Sequence, residues 1–184
     1  DSGRFFSLTD RFALPREKRI KEFSKGMKMK LSIATALSHD SRLLILDEAT
    51  TGLDPIVRDE VLEIFLDFMQ DETHSIFISS HIISDLEKIC DYVTFIHKGK
   101  ILFSEAKDEL LDTYEILKCS EEELKAVPAA SVRGVMKNRF GAEALVDRSK
   151  LRNAGNAVID PAGIEDIMLF MVKSGNAGCG EGSK

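Results

Sequence analysis

Leu43-Leu44-Ile45-Leu46-Asp47-Glu48 sets two adjacent carboxylates at the end of a four-residue apolar run. A run of that length and composition predicts a buried parallel strand. Ligands in open α/β sheets bind beyond the carboxyl ends of the strands, so Asp47 and Glu48 fall at the mouth of a site. Neighbouring residues on a strand point differently. One carboxylate can therefore hold Mg²⁺, directly or through water, while the next orients or deprotonates an attacking water. That division of labour suits nucleotide hydrolysis; the alternative is a solvated strand end.

The flanking segments weigh against the alternative. Ala49-Thr50-Thr51-Gly52-Leu53-Asp54-Pro55 is a tight connection, and Val57, Val61, Ile64 and Phe68 follow at helical spacing, with Asp54 and Pro55 as N-cap and first helical residue. Capping alone accounts for Asp54 structurally. Ser75-Ile76-Phe77-Ile78-Ser79-Ser80 predicts a second buried strand, and His81 stands just after it, before a helix carrying Ile82, Leu86 and Ile89. An imidazole there can hydrogen-bond a phosphate oxygen or an attacking water, or can simply be a polar helix-start residue.

Upstream, Phe23-Ser24-Lys25-Gly26-Met27-Lys28-Met29-Lys30 leads into a helix through Leu31, Ile33, Ala34 and Leu37. Ser24 can cap that helix and Gly26 lets a ligand approach the backbone, where free N–H groups attract anions. Lys25, Lys28 and Lys30 crowd the positive end of the helix dipole, a cost that a bound phosphate or solvent would offset.

Taken in order, these segments resemble the ABC ATPase family: a signature motif (Phe23 to Met27), a Walker B strand with its glutamate (Leu43 to Glu48), a D-loop (Gly52-Leu53-Asp54) and a switch histidine (His81). The wording is most similar to ATP-binding subunits of bacterial ABC-2 type exporters. Lys25 and Met27 depart from the common glycine and glutamine, but Ser24 and Gly26, the phosphate-facing pair, are in place. The resemblance covers residues 1 to 105. It implies that Asp47 assists Mg²⁺ binding, that Glu48 polarises the hydrolytic water and that His81 contacts the γ-phosphate of ATP. It further implies that Ser24 and Gly26 serve the ATP of an opposite ATPase subunit, that Asp54 acts across that dimer interface, and that a separate membrane permease is the partner driven.

No stretch reads G-x-x-x-x-G-K-[ST], so the phosphate-cradling loop is missing from this sequence, as are the Q-loop and the adenine-stacking aromatic. In the family these precede the signature. The expectation is a C-terminal portion of a longer ATPase, inactive by itself. Two other readings stay open: a non-transport ABC protein, and a non-enzymatic interaction module that offers its signature face to a complete partner.

The 184 residues are 43% hydrophobic, enough for a real core. A formal charge of -6 argues against a nucleic-acid face, which needs clustered Lys and Arg. No run approaches a membrane span, so membrane association is expected only through the permease, at the inner face of the cell membrane on the cytoplasmic side. Cys90, Cys119 and Cys179 show no metal or redox spacing and read as reduced thiols, Cys90 in the core. His39, His74 and His97 have no clustered ligands and read as solvated.

The predicted fold class is α/β, a partial P-loop NTPase sheet with a segment of helical subdomain and a small C-terminal α/β appendage. The ATPase part spans 1–112, the appendage 113–174 and a frayed Gly-rich tail 175–184. Phe5, Phe6, Leu8, Phe12 and Leu14 lie on a first helix ending near Pro15, available for membrane-subunit contact or core packing. Tyr92 to Ile96 and Ile101 to Phe103 predict a hairpin turned at Gly99, and Asp108 to Leu111 a short helix. In the appendage, Tyr114 to Cys119 and Ala144 to Val146 read as strands and Glu121 to Val127 as a helix. A last helix is expected to start at Asp160-Pro161 and run through Ile164, Ile167, Met168 and Met171.

Overall fold

The computed structural model describes residues 1–139, 141–151 and 157–177, the last four of these by their backbone. The chain forms two compact units divided between Ile89 and Cys90.

In the first unit the elements are α1 (Ser2–Arg11), α2 (Lys25–Leu37), β1 (Leu43–Asp47), α3 (Pro55–Phe68), β2 (Ser75–Ser79) and α4 (Ile83–Ile89). Helix starts follow side-chain capping: Asp1, Ser24 and Asp54 accept from the backbone N–H of Arg4, Met27 and Val57. Phe12, Leu14, Ile33, Ala34, Leu37, Val61 and Phe65 are buried. Arg11 pairs with Asp67 at 2.9 Å, tying α1 to α3, and Lys30 pairs with Glu60 at 2.9 Å, tying α2 to α3. Of the two possibilities for the N-terminal phenylalanines, Phe12 packs inside, while Phe6 is exposed beneath the Arg16 guanidinium.

β1 and β2 are parallel, with Asp47 opposite Ser79. The expected strands and their parallel pairing are present, but they are not buried on both faces. Leu44 is buried, whereas Leu43, Ile45 and Phe77 are exposed. Side chains alternate across a strand, and among the described residues these two strands form a sheet of their own, so one set of alternating side chains is left without a covering layer.

The second unit opens with the expected hairpin, β3 (Tyr92–His97) and β4 (Lys100–Ala106), whose two-residue turn puts Lys98 and Gly99 at φ 48° and 73°. α5 (Lys107–Thr113) follows. The hairpin and α5, assigned above to the ATPase part, group here with what comes after them. Next come β5 (Tyr114–Cys119), α6 (Glu121–Ala126), β6 (Val132–Asn138), β7 (Gly141–Asp147), β8 (Val158–Pro161) and α7 (Ile164–Ala177). The four strands β5 to β8 pair antiparallel in the order β6-β7-β5-β8, and α7 packs against β6 and β7. Leu117, Ala144 and Val146 share one face of the sheet with Val127, and Leu145, which alternates to the other face, is equally buried. A capping box between Ser120 and Glu123 opens α6.

Three expectations change in this unit. Asp160 and Pro161 end β8 and do not start the helix, which begins at Ile164; β8 lies at the sheet edge, where a proline's missing N–H is tolerated. β6 was not anticipated. The helix α7 continues through Ala177, so the first residues assigned to the tail are its last turn, and 178–184 lie outside the described residues. Cys90 and Cys119 are free thiols, Cys90 half-buried, and burial raises the thiol pKa of both; Cys179 lies outside the described residues. His74 is not simply solvated: it stacks on Phe68 at 4.3 Å.

Candidate active site at the β1 and β2 strand ends

Parallel register brings the ends of β1 and β2 side by side, and the site is built across that pairing. The Ser79 hydroxyl donates to Asp47 Oδ1 at 2.5 Å and lies 3.3 Å from the Glu48 N–H, which donates to the Ser79 carbonyl at 3.0 Å. One hydroxyl thus touches both members of the acidic pair. Glu48 leaves the strand in the left-handed region, φ 51°, a conformation a residue with a Cβ adopts at a cost when the surroundings hold it.

That turn swings the Glu48 carboxylate toward the loop and His81. Its Oε2 accepts from Thr51 Oγ1 at 2.5 Å and lies 2.7 Å from His81 Nδ1. The Thr51 hydroxyl is the larger cause, and the His81 ring a further one, of a Glu48 pKa held below the ordinary carboxylate value. The pair is open to solvent, His81 being two-thirds exposed at its side chain. An ionised carboxylate beside an imidazole at a solvent-facing strand end can take a proton from water while the ring addresses a second, anionic group.

The loop after Glu48 leads to a second cluster. Ser24 Oγ caps α2 by accepting from the Met27 N–H at 3.2 Å. A Cβ on Gly26 would meet Leu53 at 3.5 Å, and a Cβ on Gly52, at φ +75°, would lie 2.6 Å from Lys25 Nζ. The segment from Ser24 to Gly26 therefore lies against Gly52 and Leu53, and Lys25 runs over the glycine. Asp54 caps α3 through the Val57 N–H at 3.1 Å. Of the three lysines expected at the α2 start, Lys30 turns away to Glu60 and lies over the Phe12 ring.

Asp47 meets Ser79 through Oδ1, and a carboxylate in such a sparse donor set can ligate Mg²⁺, which retains several waters and takes one or two carboxylates plus substrate phosphates. Among the described residues, His, Cys, Asp and Glu nowhere gather in threes around a metal position. Two residues in the network had no assigned role in the sequence reading. Ser79 could have been found from its register opposite Asp47, and Thr51 from its place three residues after Glu48, where a tight turn brings side chains together.

Residues 5–51 match the family model described as ABC transporter. The lantibiotic transport ATP-binding protein SrtF of Streptococcus pyogenes is 47% identical over 89 residues, 48% of this chain and 38% of that protein. The matched segment is similar to part of an ABC ATPase domain. The bacitracin transport ATP-binding protein BcrA of Bacillus licheniformis is 48% identical over 86 residues, 47% of this chain and 28% of the other. A solved structure of the ATP binding subunit of an ABC transporter superposes with a TM-score of 0.51 at 30% identity, covering 60% of this chain and 47% of that one. The matched part thus spans well under half the length of these curated relatives. The mixed α/β class expected of an ABC ATPase segment agrees with this likeness. No helix among the described residues is long and apolar enough to cross a membrane.

Proposed function

We propose that this chain supplies the hydrolytic edge of an ATP-binding subunit in an ABC transporter of the exporter type, working in a dimer of such subunits on a separate membrane permease. The observation that carries this reading is the contact between Glu48 Oε2 and His81 Nδ1 at the joined ends of two parallel strands. Glu48 is the general base for the attacking water, and His81 addresses the γ-phosphate. Asp47 would hold Mg²⁺, which when bound supplies charge neutralisation on the phosphate oxygens. Ser24 and Gly26, at the N-terminus of a 13-residue helix, would face the phosphates of ATP bound by the opposite subunit, with Asp54 reaching across the same interface.

The sequence holds no phosphate-cradling loop, so ATP needs that loop from outside these residues. Attachment to the membrane, at its cytoplasmic face, then runs through the permease. This chain alone should therefore show no magnesium-dependent turnover. In a subunit that joins this sequence to a phosphate-binding loop, Glu48→Gln should keep ATP binding and cut turnover by roughly 10² to 10⁴, the usual worth of a positioned base. Unchanged turnover in that variant, measured by phosphate release, would refute Glu48 as the base.

A further inference from the structure

We infer that Thr51 is a positioning residue that holds the Glu48 carboxylate by one oxygen and so decides which oxygen acts on water. The inference rests on the reading of Glu48 as the base. The two side-chain contacts to the carboxylate, from Thr51 Oγ1 and from His81 Nδ1, fall on Oε2, and the His81 backbone N–H also addresses the carboxylate. Neither side-chain contact engages Oε1. In the reaction, the O–H bond of water breaks and its proton goes to Oε1, while the water oxygen forms a bond to the γ-phosphorus. The bond from that phosphorus to the bridging oxygen breaks, and ADP leaves with the electron pair. The proton on Oε1 then passes to solvent.

The turn does not itself need the hydroxyl. Its closure is already made by the Thr51 N–H, which donates to the Glu48 carbonyl at 3.1 Å. A valine at 51 could close the same turn. The preceding residue shows the contrast: Thr50 is fully buried and its hydroxyl has no hydrogen-bond partner, so its role is packing. Two adjacent threonines thus divide the loop, one filling the interior and the other directing its hydroxyl at the acid. Glu48 also starts from a left-handed backbone, from which its side chain can adopt more than one direction unless something restrains it. Thr51 restrains it from the loop and His81 from the second strand.

Positioning is worth much in phosphoryl transfer, where a carboxylate displaced by an ångström loses on the order of 10²-fold. The test uses a subunit that joins this sequence to a phosphate-binding loop. Thr51→Val should lower kcat by roughly 10- to 100-fold with little change in the KM for ATP, and Thr51→Ser, which keeps the hydroxyl, should restore most of the rate. In a Glu48→Gln background, Thr51→Val should add little, because the two residues act as one unit. Thr50→Val, with its unpartnered hydroxyl removed, should turn over normally, and melting curves of all variants report folding separately. Equal kcat in Thr51→Val and the parent overturns the inference, as does a Thr51→Ser variant as slow as Thr51→Val. Normal turnover in Glu48→Gln overturns instead the assignment of the base, so the two failures are distinct.

Discussion

In the parallel pair β1–β2, Ile45 and Phe77 are 73% and 68% exposed, whereas in the antiparallel sheet Leu117, Ala144, Leu145 and Val146 are completely buried. The residues with chemical motifs belong to the unit that holds the first sheet, and the better-filled sheet core to the second. A two-stranded sheet is marginal without packing, and its loops are free to carry reactive groups. The four-stranded sheet, with α7 against it, is filled on both faces along its central strands β5 and β7, though Val158 and Ile159 on its edge are exposed, and it displays no motif assigned by sequence or structure.

The largest effect should come from emptying the filled side. Phe170 on α7 is 1% exposed, so Phe170→Ala should cost about 3–5 kcal/mol, read by denaturant unfolding or by amide exchange in β5 and β7. A loss under about 1 kcal/mol would break the comparison, since the second sheet would then be no better packed than the first.

Next in size is a buried charge. Asp147 is 4% exposed, and Lys150 and Ser149 hold its carboxyl at about 2 against an ordinary 3.8. Lys150 Nζ approaches at 2.6 Å and the Ser149 hydroxyl at 2.6 Å. The folded pKa lies below the unfolded one, so the stabilisation is full above the ordinary value and is lost as the pH falls from 3.8 toward about 2. Asp147→Asn should remove about 1–3 kcal/mol at neutral pH and flatten that acid limb of the stability curve. An unchanged limb would show that other carboxylates govern it.

Smaller again is the cap at Asp54. Asp54→Ala removes the acceptor for the Val57 N–H and should cost about 1 kcal/mol, while Asp54→Asn should retain most of it. If Asn also abolished ATP-dependent dimerisation of a loop-bearing subunit, charge across the interface would be separated from capping.

What was readable follows the range of each interaction. The strands at Leu43 and Ser75, the capped helix starts at Ser24 and Asp54 and the turn at Lys98-Gly99 rest on local patterns, and they are present. Whether Ile45 and Phe77 are buried depends on a covering layer, which no local pattern reports. β6 escaped notice because Arg133, Gly134 and Lys137 interrupt its alternation. Pro161 obeyed a true rule in the wrong element, since a first helical turn and an edge strand both tolerate a residue without an N–H. In the site, Glu48 and His81 were named from sequence, but their meeting through Oε2, and the Ser79 bridge to Asp47, arise from strand register.

The smallest effect is expected on the open face of β1–β2, and it tests the comparison most directly. Phe77→Ser removes a large apolar side chain, yet a ring 68% exposed has already kept most of its contact with water. The substitution should therefore change the stability of this chain by no more than about 0.5 kcal/mol, against the several expected at Phe170. Strand propensity works slightly against serine, while the loss of exposed apolar surface reduces the drive to self-associate. Unfolding measured at two protein concentrations separates these terms: a cost that grows with concentration locates the ring in an interface between copies. A cost of 2 kcal/mol or more that is independent of concentration would mean that this face is covered within the chain, and the contrast between the two sheets would fail.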